Sequence, residues 1–221
     1  MNTLTSAPVA PLLDRLFQQA DAASPMEDAA IADLSKEDVI RLLHSKTDYL
    51  DFYTRMKDQP LPVSRETGML LYMLARSCAA RTVVEFGTSF GISTLHLAAA
   101  LRDNGGGRLI TSEFEPSKVM RARHNLEEGG LIDLVEIRVG DALKTLGDNV
   151  PEGIDLLLLD GAKALYPEVL ALVEPHLRPG ALIVADNADY SPEYLERVRN
   201  PDNGYLSTPF GADVELSIRL G

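Results

Sequence analysis

Ile154-Asp155-Leu156-Leu157-Leu158-Leu159-Asp160 and Ala181-Leu182-Ile183-Val184-Ala185-Asp186-Asn187 are two apolar runs that each end on an acid. Each run is continuously apolar and is followed by a loop and a helical pattern, which reads as a strand of a parallel sheet buried on both faces. In an open α/β sheet the loops at the carboxyl ends of the strands form the ligand crevice. Neighbouring strands would therefore bring Asp160, Asp186 and Asn187 together. Two carboxylates and an amide carbonyl, completed by water and a ligand oxygen, suit Mg²⁺ or another oxygen-preferring divalent ion. A single Asp at a strand end is commonly the cap of the next helix. Two such ends, with Asn187 beside the second, make coincidence the weaker account.

Outward from these runs the chain alternates strand and helix. Further strands are expected at 81–86, Arg108–Glu113 and Val135–Val139, with helical patterns at about 92–103, 117–128, 141–146, 166–177 and 192–199. That order implies right-handed crossovers and an α/β, doubly wound, mostly parallel sheet. The tail, residues 212–220, alternates apolar and polar residues as an antiparallel strand with one more exposed face would. Residues 8–59 carry no strand signal and read as polar, amphipathic helices, with Ser35 as an N-cap. After the stiff connector Gln59-Pro60-Leu61-Pro62, Ser64 is positioned to cap a helix to about Ala79, with Met69, Leu70, Met73 and Leu74 on one face. The expected organisation is an N-terminal helical extension over 1–60 and a main domain over 61–221.

With 221 residues the chain can bury a full core. A formal net charge of −12 disfavours nucleic acid and anionic membrane surfaces as partners. No stretch approaches the roughly 18 apolar residues of a membrane span, and residues 1–10 have no basic group ahead of an apolar core. The single cysteine, Cys78, cannot form an internal disulfide and reads as a small buried hydrophobe. A cytoplasmic enzyme is the expectation.

The segment Val84-Glu85-Phe86-Gly87-Thr88-Ser89-Phe90-Gly91-Ile92-Ser93 is a strand, a glycine-bounded turn and a helix start. Its glycines let the backbone approach a ligand, and the helix amino end offers free N–H donors to a carboxylate or phosphate. The dinucleotide fingerprint needs a glycine where Ser89 stands, so a nicotinamide or flavin reading loses ground. The stretch also spells the G-x-S-x-G elbow of hydrolases, yet His176 precedes Asp186, the wrong order for that triad. Glu113 closes the second strand, where an acid can accept both hydroxyls of a ribose. Asp141, after the third, can reach an adenine edge. Helix capping is the alternative for both.

From about Leu61 to Leu220 the sequence resembles the metal-dependent, class I S-adenosylmethionine O-methyltransferases of the catechol O-methyltransferase and caffeoyl-CoA O-methyltransferase type. The resemblance rests on the D-x-x-K loop Asp160–Lys163 and the Asp186-Asn187 pair, and more loosely on the glycine loop. It implies a Rossmann-like, seven-stranded fold. It also implies that Glu85, Gly87 and Ser93 form the cofactor loop, with Ser93 holding the methionine carboxylate. Glu113 would bind the ribose, and Val63 would flank the methionine. Asp160, Asp186 and Asn187 would hold Mg²⁺, Asp160 also bordering the cofactor, and Lys163 would be the catalytic lysine. A homodimer is likewise expected from the resemblance. Gly161 and Ala162 depart from the family, which has larger residues there, so one wall of the acceptor pocket is smaller. Asp141 replaces a small residue of the animal enzyme and is compatible with adenine.

The implied reaction moves a methyl group from S-adenosylmethionine to a hydroxyl of a catechol-like, vicinal dihydroxy aromatic small molecule. A phenol is protonated at neutral pH. The divalent ion would lower the pKa of one of two adjacent oxygens, and Lys163, itself pressed down by the ion and the sulfonium, would take the proton. The competing view of Lys163 is a surface lysine paired with Asp160. Tyr166 and Tyr190 are open between pocket lining and packing, and the four histidines show no ligand spacing. The alternative functions are a metal-independent small-molecule methyltransferase and a non-catalytic nucleoside-binding module.

Overall fold

The computed structural model describes residues 2–23, 31, 33–211 and 213–221. The seven strands are β1 (Thr82–Phe86), β2 (Arg108–Glu113), β3 (Val135–Val139), β4 (Ile154–Leu159), β5 (Leu177–Ala185), β6 (Tyr205–Phe210) and β7 (Val214–Arg219). They form one sheet in the order β3-β2-β1-β4-β5-β7-β6. β1 to β5 pair in parallel, while β7 runs antiparallel to both β5 and β6. The order reverses between β1 and β4, so the loops after these two strands flank the switch point where open sheets bind ligands.

β4 is buried along its whole length, as its leucine run requires. Its one early acid, Asp155, is compensated locally: Oδ2 accepts from the backbone N–H groups of Arg81 and Thr82 at 2.7 and 2.9 Å, and Oδ1 from the Arg178 guanidinium. The preceding helix α1 (Val9–Asp21) buries Leu12, Leu13, Leu16 and Phe17 in the same core cluster as β1 and α5 (Ile92–Asp103). Each such side chain contributes about 1.5–3 kcal/mol of transfer free energy. α2 (Lys36–Leu43) and α3 (Tyr49–Arg55) close a small cluster around Ile31, Val39, Phe52 and Met56, and α3 is joined to the main domain through Tyr49, Leu50 and Tyr53, which pack in the core on the other side of the sheet. Ser35 caps α2 as expected, its Oγ accepting from Asp38 N at 3.0 Å. The part of the N-terminal helical reading that falls on 24–30 lies outside the described residues.

Four expectations are corrected. The helix α4 (Arg65–Ser77), capped by Ser64, buries Thr67, Gly68, Leu71 and Ala75, whereas Met69 and Met73 are exposed. Close approach to α5 sets this face: a Cβ on Gly68 would stand 2.7 Å from the His96 ring. Cys78 is only partly buried, at the C-cap of α4. β6 is the seventh strand that the resemblance implied but that the reading along the chain did not place; as the outermost strand it tolerates Pro209, which donates no ladder hydrogen bond. Finally, the polar side of the tail strand is not its exposed side. Glu215 and Ser217 are buried, with Glu215 held by the guanidinium of Arg199, on α9 (Pro192–Arg199), and by the Ser207 hydroxyl. An ion pair and hydroxyls thus satisfy what the alternation assigned to water. Ala212 lies outside the described residues.

Candidate active site

Two loops meet at the switch point. The β1–α5 loop turns through Gly87 (φ +103°), where a Cβ would stand 2.5 Å from the Asp160 carbonyl oxygen, so the loops after β1 and β4 pack backbone against backbone. Only glycine permits that approach. It places Val63, Gly87, Ser93 and Asp160 around one narrow recess.

Beside it lies a cleft of about 640 Å³, part of it open to solvent, lined among others by Gly87, Glu113, Asp141 and Asp160. The Glu113 carboxylate is buried, and its oxygens accept from the backbone N–H groups of Ser89 and Glu115, both at 2.9 Å. Burial holds its pKa above the usual carboxylate range. Each oxygen keeps a further lone pair for a ligand hydroxyl. Asp141 caps the short helix α7 (Ala142–Thr145) through Leu143 N at 3.0 Å and still faces the cleft, so capping and binding are compatible.

Glu85 sits elsewhere than expected. It is fully buried, sealed from the cleft by Ser93 and Thr94, whose hydroxyls donate to its two oxygens at 2.5 and 2.6 Å. Burial pushes its pKa up to about 7 against those hydrogen bonds. Its place is behind the β1–α5 loop, fixing the amino end of α5. The Ser93 hydroxyl is spent on Glu85, which leaves the helix-start backbone N–H groups as the free donors toward the recess.

Asp160 and Asp186 do come together. Their carboxyl groups lie within hydrogen-bonding reach of one another, and burial with the neighbouring Asp160 charge pushes the Asp186 pKa up to about 7. Asn187, in a left-handed conformation (φ +48°), donates its Nδ2 to Asp213 at 3.0 Å, and its side-chain oxygen has no hydrogen bond among the described residues. Among the described residues no group of three or more His, Cys, Asp or Glu side chains is arranged to hold a metal. Only a mixed set including the Asn187 amide is available.

Lys163 is paired with Asp160, Nζ to Oδ1 at 2.8 Å, but not at the surface: its side chain is 10% exposed. Burial alone would lower its pKa; the Asp160 charge outweighs that and raises it well above the ordinary value. With protein groups alone, then, the lysine stays protonated. The lowering expected from the sequence depends on added positive charge. Of the two open tyrosines, Tyr166 is core, its hydroxyl donating to the Asp186 carbonyl at 2.7 Å, and Tyr190 is 41% exposed beside His44.

The hydrolase elbow finds no support. The Ser89 hydroxyl donates to the Pro60 carbonyl at 2.5 Å. His44 and His96 bond their own helices' carbonyls, while His124 and His176 pair with Glu128 and Glu152. Among the cleft residues that sequence reasoning missed are Tyr49 and Tyr53 from α3, and Lys118 from α6 (Pro116–Glu128). Lys118 is buried, and burial lowers its pKa against the pull of Glu113. Nothing local marks it, since its helix reads as a polar surface.

The sheet order and the ligand loops at its switch point define a Rossmann-like methyltransferase fold. Residues 84–188 match the model of a methyltransferase domain. A catechol O-methyltransferase of Niastella koreensis is 40% identical over 130 residues, 58% of each chain, and one of Mycobacterium tuberculosis is 37% identical over 127 residues, 58% of this chain and 57% of the other. The chain thus aligns with less than three fifths of those relatives' length. Among solved structures, the O-methyltransferase TomG of Streptomyces achromogenes, in complex with SAM, superposes with a TM-score of 0.66 at 28% identity over 92% of this chain and 99% of its own. Residues 84–188 are thus a methyltransferase domain, and the chain is similar to S-adenosylmethionine O-methyltransferases of the catechol type. No helix among the described residues is long and apolar enough to cross a membrane.

Proposed function

We propose that this chain is a divalent-metal-dependent O-methyltransferase that moves a methyl group from S-adenosylmethionine to a hydroxyl of a catechol-like aromatic small molecule. The observation that carries the reading is the buried Asp160–Asp186 pair, with Asn187 beside it and Lys163 against it. Two buried carboxylates held in reach of one another are mutually destabilising as anions, so the donor set fits a hard divalent cation such as Mg²⁺. Asp160, Asp186 and the Asn187 carbonyl would hold it. A cation held there would supply Lewis-acid lowering of an acceptor hydroxyl's pKa, and S-adenosylmethionine would supply the methyl group.

The chain's own residues do the rest. Glu113 accepts the ribose hydroxyls, Asp141 borders the adenine, and Val63, Gly87 and the α5 amino end line the methionine recess. Lys163 takes the hydroxyl proton at Nζ once Asp160 no longer spends its charge on the ammonium. A homodimer and a cytoplasmic setting belong to the same proposal and rest on the family resemblance.

The test is a turnover assay with a simple catechol and S-adenosylmethionine. Activity is expected to vanish with EDTA and return with Mg²⁺; methyl transfer unaffected by chelation would favour the metal-independent alternative. Cofactor binding has its own check. Replacing Glu113 with alanine is expected to weaken S-adenosylmethionine by about 1.5–3 kcal/mol, because a charged acceptor is lost from the ribose. An unchanged dissociation constant by calorimetry, in a folded variant, would reduce Glu113 to a loop-fixing role.

A further inference from the structure

One buried ammonium in the cleft is not accounted for by the chain's own packing. Lys118 sits in the first turn of α6, lines the same space as Ser89 and Glu113, and is 4% exposed. Taking an ammonium out of water is costly unless it is well paired. The first turn of a helix also carries positive partial charge, which repels a cation. Lys163, the other buried lysine of this region, is matched by Asp160 at 2.8 Å. Lys118 has no such match: among the described residues its Nζ makes one long hydrogen bond, 3.4 Å to the Ser89 hydroxyl, and stands 5.8 Å from the centre of the Phe90 ring. An ammonium carries three donors.

Ser89 fixes where that ammonium stands. Its hydroxyl accepts from Lys118 Nζ and its backbone N–H donates to Glu113 Oε2 at 2.9 Å, so cation and carboxylate flank one residue on the same wall of the cleft. Ser89 is itself pinned, its Oγ donating to the Pro60 carbonyl at 2.5 Å. Burial raises the Glu113 pKa, and the Lys118 charge pulls against it, so each group favours the charged form of the other. The two sides of the wall are chemically complementary. Glu113 offers only acceptors and Lys118 only donors, whereas a sugar hydroxyl needs both, because its O–H donates while its oxygen accepts.

We propose that Lys118 is a ligand-contacting residue of the nucleoside site: its ammonium donates to a ribose hydroxyl oxygen whose proton goes to Glu113, so that the two side chains read the diol from both sides. The inference rests on the cleft being the S-adenosylmethionine site, and it makes Lys118 a determinant of sugar specificity. A bound diol gives the ammonium the partner it lacks. A deoxyribose leaves it buried and underpaired, which is how a site built to hydrogen-bond a hydroxyl rejects the analogue without one.

Calorimetry on the full-length chain decides it, with S-adenosylhomocysteine and its 2′-deoxy and 3′-deoxy ribose analogues as ligands and thermal melts confirming each variant's fold. The parent, which needs no variant to fold, should reject at least one deoxy analogue on the order of a hundredfold. Lys118→Met keeps the apolar stem and removes a buried charge. It should weaken S-adenosylhomocysteine on the order of tenfold and cut the rejection of that analogue to about tenfold, because Glu113 still accepts the hydroxyl proton. Lys118→Gln keeps an N–H donor without the charge and should fall between the two. A lysine that serves only packing or charge balance would, when replaced, weaken all three ligands by one factor. That result, an unchanged Kd in both variants, or a parent that does not distinguish the sugars would each overturn the assignment. No binding of S-adenosylhomocysteine by the parent would instead remove the cofactor reading beneath it.

Discussion

Asp186→Ala is expected to abolish Mg²⁺-dependent methyl transfer, a loss on the order of 10³-fold or more, while S-adenosylmethionine binds within about tenfold of the parent. The asymmetry follows from position. Asp186 closes β5 and faces Asp160, whereas the proposed cofactor cleft, lined from β1, β2, the β3–α7 loop, the loop after β4, α3, Leu61 and Lys118, does not include it. The variant should also fold, because the removed carboxyl is one whose ionisation burial and Asp160 oppose. A second readout is independent of turnover: Mg²⁺ should raise the melting temperature of the parent by mass action and leave that of the variant unmoved. Full activity after chelation and Mg²⁺ re-addition, or a parent-like Mg²⁺ shift, would sink the metal assignment.

Lys163→Met should lower kcat by roughly 10²–10⁴-fold with little change in cofactor affinity, since only proton removal in the transition state is lost. The buried pair complicates a single variant. Taking away the ammonium leaves Asp160 without its partner, which by itself destabilises a buried carboxylate. Lys163→Arg separates the effects, because a guanidinium preserves the ion pair and does not act as a base near neutrality. If the lysine is the base, both variants lose kcat. If the ion pair is what matters, only the methionine variant does. Raising the pH supplies phenolate without a protein base and should partly rescue both, and an acidic acceptor such as a nitrocatechol, which arrives ionised, should do so at pH 7. A folded, metal-binding Lys163→Arg that turns over simple catechol at the parent rate at pH 7 would show that Lys163 is not the base.

The sequence by itself determined the alternation of elements, and with it the parallel sheet. β4 and the second half of β5 carry the near-unbroken apolar signal that burial on two faces demands, whereas edge strand β3 alternates and is only half-buried; the two acids that end β4 and β5 are legible because adjacent parallel strands open their carboxyl ends to one crevice. Glycine at Gly87 was equally readable, as a turn.

Tertiary structure decided what local signal cannot encode. Glu85 lies behind the β1–α5 loop because Ser93 and Thr94 close over it. The buried face of α4 is set by contact with His96 across a helix boundary, and the polar residues of β7 are buried because Arg199, Ser207 and Glu215 satisfy one another. Tyr49 and Tyr53 reach the cleft only because α3 folds back against the main core, far along the chain from the acids it meets there. Periodicity reports which face of an element is apolar; partners distant in sequence, and the charges they neutralise, determine what that face meets.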